Sequence, residues 1–214
     1  MKAVFIGVAL AAICAAQTIS IDQLKHQIPT SAAKEYRASL KALDKGELQQ
    51  SIAHCRNAIA SDPENASAHN DLGVLYMTDG RIKEALAEFD RATSLQPRLV
   101  AAHLNAGFAS LTLDRPEDAE ASVRKALDVE RNNRRGHLLL GWSLAAQHRY
   151  SAAALESLEI ASRDFPEAHL AAADVLVHRG SLEGARAEVE AYLATGVTEQ
   201  KALAEAWLRF LTFE

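Results

Sequence analysis

The feature that most constrains this chain is a spacing. Residues 68–73 read AHNDLG, and worn copies follow as AHLNAG at 102–107, GHLLLG at 136–141 and AHLAAA at 168–173. Their histidines, His69, His103, His137 and His169, are 34, 34 and 32 residues apart. A self-similar period of this length is the mark of a stacked array. Each element of such an array is too small to bury its own apolar face and is stable only against its neighbours.

The rest of the period is written in small and aromatic residues. After Leu72-Gly73 come Tyr76, a break at Gly80, then Ala85, Phe89 and Ala92, and Pro97 closes the repeat. The same marks return downstream as Gly107, Ala119 and Ala126, then as Gly141 and Ala153, and upstream as Gly46, Ala58 and Pro63. A drifted fifth copy offers Ala173, Gly180 and Ala185, two residues early, because the fourth repeat closes early at Phe165-Pro166. The repeats are therefore set at 32–65, 66–99, 100–133, 134–165 and 166–197. Two departures stand out: Ser39 and Ser51 at the close-approach points of the first repeat, and Ser157 and Ile160 in the fourth where Phe89 and Ala92 stand in the second.

Within each repeat the apolar spacing is helical. His69, Leu72, Gly73 and Tyr76 fall on one face of a first helix, and Ile82, Leu86, Phe89 and Ala92 stripe a second. Gly73 opposite Ala85 predicts a close approach of the two. Gly80 can take the left-handed conformation that closes a helix, and Pro116 suits a first helical turn. Gly and Pro are scarce, 10 and 5 residues, which agrees with an all-helical chain.

The run Leu72-Gly73-x-x-Tyr76, Ala85-x-x-x-Phe89, Pro97 resembles the tetratricopeptide repeat, and the resemblance extends from residue 32 to about 197. It implies a right-handed all-α solenoid of about five helix-turn-helix repeats that binds other proteins. In that family the second face of each first helix lines a concave groove. Carried over by register, this face offers Tyr36, Leu40 and Leu43 in the first repeat, and Asn70, Val74 and Met77 in the second. It continues with Leu104, Phe108 and Leu111, then Arg135, Leu138 and Trp142, then Leu170, Asp174 and Val177. Some members grip a peptide carboxylate there with lysines, arginine and asparagines. Here the register has no lysine, and Asn70 and Arg135 are isolated, so an apolar helix or peptide is the expected ligand. Phe108 and Trp142 are its expected anchors. The alternative is a self-filled groove, in which the side chains pack on one another or receive an arm or tail of this chain or of a second copy.

The ends read differently from the array. Lys2, the apolar run Ala3–Ala16 and a small-residue cut before Gln17 make residues 1–16 an expected signal peptide, and the chain an expected exported protein, periplasmic or secreted in a bacterium. A stable membrane span needs ~20 apolar residues, more than this run supplies. Residues 17–30 form an apolar linker or arm. Residues 198–214 form a closing helix, with Thr198 as N-cap and Leu203, Trp207, Phe210 and Leu211 as its stripe. The net charge of -5 gives no electrostatic reason to bind nucleic acid.

Catalytic constellations are not apparent in the sequence. Zinc needs nitrogens ~2.0 Å from one point, whereas histidines on successive packed helices stand ~8–10 Å apart in a row. They are read as structural, and no metal or cofactor is expected. Glu84, Glu88, Glu117 and Asp118 are read as solvated, and Cys55 as a small buried hydrophobe. Asp174 and His178, one turn apart, are close enough to pair, and are read instead as a solvated helix end. Asn65-Ala66-Ser67 matches a glycosylation acceptor. Arg131, Arg134 and Arg135 form either a solvated turn or a contact for an acidic partner.

Overall fold

The computed structural model describes residues 28–212. The expected signal peptide, its cleavage point and most of the arm lie outside the described residues. The described residues are eleven helices with no strand. The chain divides after Asp114 into two compact bodies. The division falls within the third repeat, at the turn between its two helices.

The first body holds α1 (Thr30–Asp44), α2 (Leu48–Ser61), α3 (Ala66–Thr78), α4 (Ile82–Leu95) and α5 (Val100–Thr112). α1 packs on α2 and α3 on α4, and each pair stacks on the next helix in the chain. Burial follows the sequence stripes. Ala85, Phe89 and Ala92 are fully buried on α4, and Leu72, Gly73 and Tyr76 are buried on α3. A Cβ on Gly73 would stand 2.7 Å from Phe89 Cδ1, so the glycine makes room for the Phe89 ring and not, as its position opposite Ala85 implied, for a bare helix contact. In the first repeat Ser39 donates to the Ser51 carbonyl at 2.9 Å, and the two hydroxyls lie 3.0 Å apart, so this small pair satisfies itself where the later repeats use apolar residues. The α1 positions that correspond to buried Ala68, Leu72 and Leu75 of α3 are Lys34, Ala38 and Lys41, with both lysines exposed. Among the described residues, that end of the array therefore presents charged side chains where the next repeat presents apolar ones.

The second body holds α6 (Pro116–Val129), α7 (Arg134–Ala146), α8 (Ala152–Ser162), α9 (Glu167–His178), α10 (Leu182–Ala194) and α11 (Lys201–Thr212). Leu138, Leu144, Leu158 and Val175 anchor one core cluster, and Leu170, Val189 and Tyr192 a second. α8 has only 11 residues. Its Leu158, fully buried, takes up the space at Gly141 in place of the expected position 157.

The helix ends have identifiable stops. Gly80 lies at φ +76, where an L side chain would be strained, and its amide returns to the Met77 carbonyl. Asn65 caps α3 by accepting from the Ala68 amide at 3.1 Å, and Asn133 caps α7 by accepting from Gly136 at 2.9 Å. The candidate glycosylation asparagine is thus occupied as a helix cap.

The closing helix differs from its expected register. It begins at Lys201, because the buried Tyr192 hydroxyl accepts from the Gln200 amide and Thr198 contributes only its carbonyl to Lys201. Its buried arc is Ala204, Trp207, Leu208 and Leu211, centred on a small residue that allows close contact with α10. Leu203 and Phe210 flank this arc and are 37% and 67% exposed.

Candidate functional site

The residues carried over as groove-lining divide into a buried set and an accessible set. In the first body Asn70, Met77, Leu104 and Phe108 are buried, at 3–7% exposure. Val74 and Leu111 are half-buried, and Leu40 and Leu43 are exposed. The outermost positions therefore offer contact, while the large anchor Phe108 is mostly core. In the second body Leu138 is buried, and Trp142 and Arg135 are half-buried.

Asn70 belongs to a polar chain that the sequence did not disclose. Tyr36 of α1 donates to Asp71 of α3, Asn70 Nδ2 donates to Asp71 at 3.2 Å, and Asn105 of α5 donates to Asn70 Oδ1 at 2.9 Å. Burial, with the nearby Asp71 charge, pushes the Tyr36 hydroxyl well above its ordinary value. This chain links successive first helices within the first body, so Asn70 is committed to fixing their register.

The four histidines that set the spacing are local fasteners. His69 Nδ1 lies 2.6 Å from Glu88 Oε2, and its Nε2 lies 3.2 Å from the Pro63 carbonyl. His103 reaches the Pro97 carbonyl and His137 the Arg131 carbonyl, both at 2.9 Å through Nε2. His169 Nδ1 meets Glu188 at 2.7 Å. Each ties the start of a first helix to the preceding turn, to its own second helix, or to both. Glu88, read as solvated from the sequence, is in fact half of such a fastener. The first repeat carries the same pair reversed, Glu35 with His54 at 2.8 Å. The interval of 19 residues is common to all three pairs, and it is the signal that could have found them.

The remaining candidates also have defined places. The Cys55 thiol is buried, donates to the Ala68 carbonyl, and is pushed up to about 12 by burial. Arg134 Nη1 lies 2.6 Å from each oxygen of Asp164, so one member of the arginine cluster is paired within the chain at the surface. Arg135 lines a cleft of about 530 Å³ with Arg163, Asn132, Ile160 and Phe165. Burial lowers its pKa. His178 Nδ1 contacts the Asp174 carbonyl oxygen at 2.9 Å and lies 3.7 Å from its carboxylate. Asp174 is half-buried, not solvated as its position suggested. Among the described residues no group of three or more histidine, cysteine or acidic side chains is arranged to hold a metal, and no helix is long and apolar enough to cross a membrane.

Comparison with known proteins places the fold. No curated protein sequence matches the chain. Among solved structures, MamA from Desulfovibrio magneticus RS-1 superposes with a TM-score of 0.72 at 14% identity, covering 78% of this chain and 96% of that one. Pseudomonas aeruginosa PilF superposes at 0.67 with 21% identity, covering 85% and 88%. YrrB, described as a TPR protein with an unusual peptide-binding site, superposes at 0.67 with 17% identity, covering 84% and 93%. The sequence model of the tetratricopeptide repeat matches residues 36–99, 104–161 and 151–196. With those matches spanning most of its length and the paired helices following the same period, the chain belongs to the tetratricopeptide repeat family.

Proposed function

We propose that this protein is an exported, non-catalytic adaptor that binds a peptide or helix of another protein on the accessible face of its first helices. The observation that carries this reading is the row of accessible apolar side chains at matching register positions. Leu40, Leu43, Val74 and Leu111 form one such row in the first body, and Trp142 and Val177 form another in the second. Scattered exposed apolar residues are ordinary, but a row repeated in register gives a docking segment a regular series of contacts. A peptide-binding site described for YrrB, a protein of similar fold, supports the same reading.

The test is selection from a displayed library of random peptides on the full chain. Each peptide selected by the wild type should lose binding to Leu40→Asp/Leu43→Asp or to Trp142→Ala, according to the body it docks on, and keep binding to Lys125→Glu, which alters an exposed lysine of α6. Selection of no peptide at all, or equal binding to every variant, would overturn the reading.

Self-association is a second reading, favoured by Phe210 at 67% exposure on α11. Concentration-dependent sedimentation that Phe210→Ser abolishes would establish it.

A further inference from the structure

The row of apolar positions is interrupted once in the second body. Asp174 of α9 takes the register position that Trp142 takes on α7. Its side chain is only 21% exposed. Among the described residues its carboxylate receives no hydrogen bond, and its one ion-pair neighbour is His178, with Nδ1 at 3.7 Å. That nitrogen is already directed at the Asp174 backbone oxygen, 2.9 Å away. Burial is the largest influence on the Asp174 carboxyl and holds it above the usual aspartate value, and several positive charges, His178 first and His148 among them, offset this in part. By contrast, the half-buried Glu88 and Glu188 and the buried Glu120 have close partners in His69, His169 and Arg149.

Beside Asp174 stands a fixed aromatic wall. The Tyr150 ring stacks on His178, with centroids 4.0 Å apart and planes 11° apart. The Tyr150 hydroxyl meets His148 Nδ1 at 3.0 Å, and Arg179 donates to the Tyr150 backbone oxygen at 3.1 Å. His148 sits at φ +57, a left-handed position that the first, second and fifth repeats fill with Gly46, Gly80 and Gly180. A histidine tolerates that conformation at a cost, and here it sets the ring against Tyr150.

We propose that Asp174 is the specificity point of the second body's docking face and receives a lysine or arginine of the partner segment, seated against the Tyr150–His178 stack, with apolar partner side chains on Trp142 and Val177. A cation in direct contact supplies the hydrogen-bonded partner that this partly desolvated carboxylate lacks among the described residues, and the flanking rings suit the aliphatic stem of a long basic side chain. The opposite sign of charge at this one position selects against acidic segments. The inference rests on the reading that this face docks a partner.

The experiment repeats the peptide selection with the full-length wild type and Asp174→Asn, both checked for folding by circular dichroism. Wild-type selections should be enriched in lysine or arginine between apolar residues. A synthetic peptide from them should bind Asp174→Asn about tenfold more weakly, equivalent to ~1.4 kcal/mol. Replacing its basic residue by Met should weaken binding to the wild type and not to the variant. Enriched peptides without a basic residue, or equal affinity for both proteins, would overturn the inference and leave the docking reading standing. Selection of no peptide would overturn both.

Discussion

His69 and Glu88 meet at 2.6 Å across the two helices of the second repeat, and the His69 ring also reaches back 3.2 Å to the Pro63 carbonyl. One side chain thus joins a turn, a first helix and a second helix. The His69 side chain is 9% exposed and that of Glu88 25%, so neither gains full hydration if its partner is lost. Either His69→Leu or Glu88→Leu should therefore lower stability by ~1–2 kcal/mol, read as a shift in the urea midpoint. Because the first repeat uses the reversed pair Glu35–His54, the double exchange His69→Glu/Glu88→His should recover much of that loss. A double variant no more stable than the worse single would mean that the pair is not the fastener.

Gly73 faces the Phe89 ring with no space for a Cβ. Phe89 is fully buried, so its ring cannot swing into solvent. Gly73→Ala should cost ~1–3 kcal/mol through overpacking, despite the better helix propensity of alanine. Adding Phe89→Leu should make the Gly73→Ala substitution less costly than it is in the wild-type background. Thermal melts of the four proteins in this cycle give the coupling directly.

The fold was legible because a period of 34 residues and a helical stripe are properties of the sequence itself. His69, Leu72, Gly73 and Tyr76 are buried together as their spacing required. What the pattern could not give was the state of each face once neighbours packed on it. Phe108 and Val74 share a register position, yet Phe108 is buried and Val74 half-buried, a difference that helical spacing does not encode. Glu88 looked solvated because its partner lies 19 residues away on another helix, beyond the reach of one-helix periodicity. The start of α11 was misplaced for a similar reason: the turn before it is held by the distant Tyr192 hydroxyl and not by a local cap.

The same distinction separates core from contact within the candidate face. Phe108 is 7% exposed, whereas Leu40 is 46% exposed. Phe108→Ala should destabilise the protein by ~3–5 kcal/mol, measured by chemical denaturation. Leu40→Asp should leave the denaturation midpoint nearly unchanged while weakening any peptide that the face selects. A destabilisation by Leu40→Asp as large as that of Phe108→Ala would show that the outer row is core as well.

Asp174 and Glu120 should respond to pH in opposite senses. The Asp174 carboxyl is raised by burial, so its ionisation opposes folding. Stability from the protonated form is fully present below the unfolded aspartate range, ~3.9, and is lost as pH rises through the higher folded value. Asp174→Asn should therefore raise the melting temperature at neutral pH, and the advantage should shrink as acid protonates the wild type. An equal advantage at neutral and acidic pH would argue that the gain is not electrostatic.

Glu120 is 6% exposed. Burial works to raise its pKa, but bonds from Gln147 and Arg149, with the charges of Arg124 and Arg149, outweigh it and hold the carboxyl below its ordinary value. Gln147 Nε2 donates to Oε2 at 2.7 Å, Arg149 reaches the same oxygen at 2.6 Å, and Arg124 lies 2.7 Å from Oε1. A depressed folded pKa contributes stability above the unfolded value, ~4.3, which is lost as pH falls through the folded one. Glu120→Gln should therefore be less stable than the wild type at neutral pH and approach it in acid. Arg149→Ala removes a cation but leaves the buried carboxylate, and should cost ~1–3 kcal/mol at neutral pH. The two arginines are about half exposed, which sets the expected effect toward the lower end of that range. Denaturation of wild type, Glu120→Gln and Arg149→Ala at neutral and acidic pH decides the matter. A Glu120→Gln deficit that grows in acid would reverse the assigned sign.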